Sequence, residues 1–172
     1  LVMQMLAAGG MPILSDGRRE QDENNPRGYF EYEPVKNLRG DNSWLGAAQG
    51  KAVKIITQLL PYLTAEFQYR IIYVERDLDE VLISQRRMLE RDGRTGAQIS
   101  DAQLRRTYAS QADIIRRWLS TNSGVQLHTV NFRSLLEEPR RSAAAVAEFL
   151  DRPLDVDAMA TAVDPALYRS RA

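Results

Sequence analysis

The segment Tyr69–Met88, YRIIYVERDLDEVLISQRRM, decides the fold. Ile71, Ile72, Tyr73 and Val74 form an unbroken β-prone run. Such a run suits a strand buried on both faces, and therefore a parallel sheet. A helix is predicted to follow at once. Asp77 with Glu80 three residues later is a capping-box-like start. Leu78, Val81, Leu82, Met88 and Leu89 form its apolar face, and Asp92-Gly93 ends it. Arg76 directly follows the strand. In open α/β sheets ligands bind at the carboxyl ends of strands, so a guanidinium at that point, beside helix amides, is suited to an anion. A pairing with Glu75 or Asp79 is the plainer reading of Arg76. Ser84, in the row Val81, Ser84, Met88, borders the apolar stripe and points partly inward. A bond to its own backbone is the plainer reading there.

Working outward, Asp101–Ser120 reads as a long helix with Leu104, Tyr108, Ile115, Trp118 and Leu119 at helical spacing. Val125–Val130 reads as another strand, Ser134–Leu136 as a turn, and Pro139 as the first residue of a helix lined by Ala143, Val146, Ala147 and Leu150. Asp155–Ala162 is a candidate last helix. Towards the N-terminus, Ala52–Thr57 reads as a strand, Met11–Leu14 as a short one, and Ser15–Gly28 as a polar loop. Leu1–Ala8 reads as a helix closed by Gly9-Gly10, where glycine can take the left-handed conformation. Its abrupt apolar start reads as a helix cut off from what preceded it. Strands alternating with helices predict a single α/β domain over 1–172, a three-layer sandwich with a parallel central sheet.

Composition excludes several classes. The 172 residues suit one core. With 23 Lys plus Arg against 23 Asp plus Glu, the net charge is zero, and nothing points to a nucleic acid or a membrane surface. No apolar run reaches the roughly 18 residues of a membrane span. There is no cysteine, hence no disulfide, thiolate zinc site or Cys nucleophile. That fits a reducing compartment, and a cytoplasmic location is expected. The lone His128 cannot build a multi-histidine metal site and reads as structural. The recurring arginine pairs, such as Arg105-Arg106 and Arg140-Arg141, read as solvated faces.

The segment Tyr69–Met88 resembles the strand-loop-helix of sulfotransferases of the P-loop superfamily. In that family an Arg at the strand end and a Ser eight positions later hold the 3′-phosphate of the donor, 3′-phosphoadenosine 5′-phosphosulfate. Arg76 and Ser84 have that spacing. VNFRSLLEEPRRSAAAVAEFLDRPL, from Val130, is similar to the family's strand, turn, proline and helix. In it Phe132 stands where many members have an adenine-contacting Tyr, keeping the stacking face without the hydroxyl. NNPRGYFEYEPVKNL, from Asn24, looks like a stretch of the bacterial members. VKIITQLLP, from Val53, resembles a strand carrying a substrate-facing Lys-x-His in some branches.

The resemblance implies sulfuryl transfer to a hydroxyl or amine of a small-molecule or glycan acceptor, with no metal requirement. It also implies a strand and a Gly-containing phosphate loop ahead of Leu1, whose amides would cradle the 5′-phosphosulfate. The histidine base of some branches is absent, because Ile56 stands two positions after Lys54. Glu31, flanked by Tyr29, Phe30 and Tyr32, is the preferred base, with Asp16 and Glu33 behind it; partial desolvation by those rings is expected to raise its pKa. A surface carboxylate beside an aromatic patch is the plainer reading. Three rivals stand against the enzyme. A nucleotide kinase would need a Gly-Lys-Thr/Ser loop. A non-catalytic relative would bind only a 3′-phosphoadenosine nucleotide or a protein partner. A structural α/β module would leave Arg76 unused.

Overall fold

The computed structural model describes residues 1–18, 28–77, 79–81 and 100–164. Its centre is a parallel pair of strands, β1 (Tyr69–Glu75) and β2 (Val125–Asn131), in register from Tyr69 against Val125 to Glu75 against Asn131. A parallel pair needs a crossover. The described part of that crossover includes the 21-residue helix α2 (Asp101–Thr121). Ser100 caps α2 in a reciprocal capping box with Gln103, satisfying two amides that the first turn leaves open. The chain is thus α/β, with a small parallel sheet.

The two faces of this sheet carry different clusters. Tyr69, Ile71 and Tyr73 of β1, with Val125 and Leu127 of β2, pack on a cluster built from Trp44, Leu45, Leu60, Ile115 and Trp118. Ile72 and Val130 alternate to the opposite face. There they meet a cluster from α1 (Val2–Ala8), α3 (Phe132–Glu137), α4 (Pro139–Leu150) and α5 (Val156–Thr161). Met5, Leu135, Val146 and Met159, each no more than 1% exposed, are its centre. Gly9 lets α1 approach α5, because a Cβ there would lie 2.5 Å from Met159 Cγ. Gly10 takes the left-handed φ of 88° just past the helix.

Three expectations differ from the structure. First, β1 is half-buried to exposed along its length, with Val74 39% exposed, rather than buried on both faces. A groove of about 1140 Å³ runs beside it and leaves it partly uncovered. Residues 48–58 and the start of α1 form the other walls. Second, Ala52–Thr57 is not a strand. It makes one parallel bridge, Ala52 to Ile13, and Thr57–Tyr62 forms a 3-10 helix. In a parallel ladder the next two bonds would run from the Lys54 amide to Leu14 O and from the Asp16 amide to Lys54 O. The Asp16 amide donates instead to Glu31 O, 3.1 Å away, so the ladder stops and Met11–Leu14 shrinks to the same bridge.

Third, Ser134–Leu136 lies inside helix α3. The Asn131 carboxamide oxygen accepts from the Arg133 amide at 2.9 Å and the Ser134 amide at 3.3 Å. It so starts a helix directly from the end of β2. Asn131→Ala should therefore cost about 1 kcal/mol. A urea titration followed by circular dichroism measures it, and an unshifted midpoint would mean that the cap contributes nothing.

Candidate active site

Arg76 and Phe132 follow the ends of two paired strands, β1 and β2, so the parallel register carries both to the same edge of the sheet. The Arg76 guanidinium carbon lies 4.7 Å from the Phe132 ring centroid, a cation–π contact. Arg76 Nε lies 3.8 Å from Glu80 Oε2. Its side chain is 28% exposed, and that of Glu80 is 8% exposed. Asp77 Oδ1 accepts from the Asp79 and Glu80 amides at 2.8 Å and 3.3 Å and so begins the helical turn at 79–81. Arg105 on α2 holds Asp79 at 2.6 Å. Tyr108, also on α2, is close enough for the Arg76 charge to act on its phenol. Burial pushes the Tyr108 phenol up from its ordinary value and Arg76 opposes that shift.

Glu31 stands in a second cluster. Lys54 Nζ donates to Tyr29 O at 3.1 Å and to Glu31 Oε1 at 3.3 Å. It also lies 6.0 Å from the Tyr29 ring centroid. Phe30 between them takes a left-handed φ of 51° and sits where the chain turns to face Lys54. Such a φ is uncommon for a bulky residue. Asp16 accepts from the Glu33 amide at 2.6 Å and the Arg18 amide at 3.1 Å. Those two bonds, the Glu33 one foremost, hold its carboxyl below the usual range.

The structure thus brings Arg76 and Phe132 together. It places Glu31 beside Lys54, and Ser84 lies outside the described residues. His128 is half-buried and stacked on Phe149, ring centroids 5.2 Å apart, as a structural histidine would be. Trp44 is a core residue meeting Tyr32 edge-on at 5.3 Å. Arg105, Arg116, Arg140 and Arg141 sit in exposed ion pairs. Sequence reasoning missed Glu80 as a neighbour of Arg76. The i,i+4 spacing of Arg and Glu across a helix start is the signal that was available.

These features define a class: an α/β domain whose parallel strands end in a cation held over an aromatic ring, a setting suited to an anion. The family model described as the sulfotransferase domain matches residues 48–169. The chain belongs to that family and is a sulfotransferase, an enzyme of sulfuryl transfer. No curated protein and no solved structure matches it. The match takes in β1, β2 and Arg76, while Glu31 precedes it. Among the described residues, no helix is long and apolar enough to cross a membrane.

Proposed function

We propose that this sulfotransferase moves a sulfuryl group from 3′-phosphoadenosine 5′-phosphosulfate to a hydroxyl or amine acceptor, a small molecule or glycan. The observation that carries this reading is the Arg76 guanidinium stacked over Phe132 where two parallel strands end. Arg76, with Ser84, would hold the 3′-phosphate through charge-assisted bonds. Phe132 would pack near the adenine. The acceptor oxygen or nitrogen forms a bond to sulfur as the bond from sulfur to the bridging oxygen breaks. Adenosine 3′,5′-bisphosphate leaves with the electron pair, and Glu31 takes the acceptor's proton.

We further propose that 1–172 is one domain with a three-layer arrangement. The apolar clusters on opposite faces of the sheet support the three-layer arrangement.

Adenosine 3′,5′-bisphosphate tests the donor site. A ligand that binds only the native state stabilises it by about 2.7 kcal/mol at 100 times its Kd. The melting temperature should therefore rise with nucleotide concentration. A folded sample that shows no shift at saturating nucleotide would overturn the reading.

A further inference from the structure

Glu80 is the one buried charged side chain among the described residues, 6% exposed. Its position in sequence suggests a capping role, as the acidic partner of Asp77. Only half of that capping box is formed. The Asp77 carboxylate takes the Glu80 amide, but the Glu80 carboxylate lies against Arg76 Nε at 3.8 Å rather than on the Asp77 amide. Two physical effects could follow, with opposite signs. A carboxylate hydrogen-bonded to the guanidinium would orient it and favour anion binding. A carboxylate that only sits close would offset its charge and disfavour anion binding. The separation decides between them. At 3.8 Å the pair has no directional bond, since such bonds need a closer approach. The guanidinium already rests over the Phe132 ring, 4.7 Å from its centroid. Glu80 is also shielded from water, so its charge acts with little screening.

We infer that Glu80 is a specificity-determining residue of the nucleotide site, a buried carboxylate that offsets the Arg76 charge and so holds down affinity for the 3′-phosphate. This rests on the reading of Arg76 as the 3′-phosphate ligand. A dianionic phosphate docked on Arg76 necessarily approaches the Glu80 carboxylate as well, so part of each attraction is cancelled. The benefit to the enzyme is turnover. The 3′-phosphate is present on donor and product alike, and tight uniform binding of both would slow product release without helping the transition state.

The test is calorimetric binding to the full 172-residue chain of two probes, adenosine 3′,5′-bisphosphate and adenosine 5′-monophosphate. They differ only in the phosphate that Arg76 is assigned. Glu80→Gln keeps the shape and removes the charge. The bisphosphate should bind about tenfold tighter to the variant, the monophosphate nearly as before, so their affinity ratio rises about tenfold. A merely structural Glu80 would move both probes together. An unchanged or smaller ratio overturns the inference. If Glu80→Gln does not fold, Glu80→Asp carries the test, since it withdraws the charge by one methylene. The ratio must then rise a few-fold, and an unchanged ratio again overturns the inference. If the unaltered chain does not prefer the bisphosphate, the donor-site reading fails and takes this one with it. If it does prefer it and the variants show no gain, only the role of Glu80 falls.

Discussion

Arg76→Ala should weaken binding of adenosine 3′,5′-bisphosphate by about 10- to 100-fold, a loss of roughly 1.5–3 kcal/mol. That is the range for a hydrogen bond to a charged group. The site gives two reasons to expect the upper part of it. The guanidinium stands over the Phe132 ring, so its removal also takes away a cation–π contact. Its loss further leaves the buried Glu80 carboxylate facing the incoming phosphate without the charge that offsets it. The same variant should be less stable, because it leaves the buried Glu80 carboxylate without its neighbouring cation. Titration at fixed salt concentration, alongside a thermal melt, separates the two effects. Arg76→Lys refines the result. It keeps the charge and discards the planar fork, so it should recover only part of the affinity. Unchanged affinity in Arg76→Ala would remove this residue from the nucleotide site.

Glu31→Gln should reduce turnover by about 10²- to 10⁴-fold, the usual contribution of a positioned general base. Nucleotide binding should stay the same, since Glu31 sits in the other cluster. Lys54 fixes the place of this carboxylate: its ammonium lies 3.3 Å from Glu31 Oε1. The Lys54 and Glu31 side chains are partly exposed, at 41% and 27%. An ion pair so open to water adds little to stability, so Glu31→Gln should melt near the unaltered chain. Asp16 is a weaker substitute as base. Two backbone amides already occupy its oxygens and hold its pKa down, which lowers its basicity. The measurement is steady-state turnover on an identified acceptor, with the nucleotide-induced melting shift as the control for folding. Near-normal activity would move the base elsewhere.

The elements that the sequence made legible are those whose causes are local. The run Ile71, Ile72, Tyr73 and Val74 forms β1 because four β-prone side chains leave the backbone little else to do. Pro139 opens α4 because its fixed φ and missing amide suit that position. Arg76 could be placed at the strand end for the same reason. What escaped the sequence depends on partners far away in the chain. Ala52–Thr57 has the composition of a strand, yet its pairing ends after one bridge to Ile13, and Asp16 beyond it sends its amide to Glu31. Ser134–Leu136 has the composition of a turn, yet Asn131 caps it into a helix. Lys54 meets Glu31 across 23 positions, which no local pattern foretells. The aromatic setting of Glu31 was legible, and the ammonium within it was not.

The pairing of β1 with β2 also bears on how the molecule comes together. Tyr69 cannot meet Val125 until everything between them has been gathered up, and such non-local closure is slow compared with winding a single helix. Arg76 reaches Phe132 only through that pairing. The Arg76–Phe132 contact is therefore assembled late by construction, and a chain with loose helices but no sheet lacks it. Nucleotide binding at the site proposed here would be a mark of finished folding.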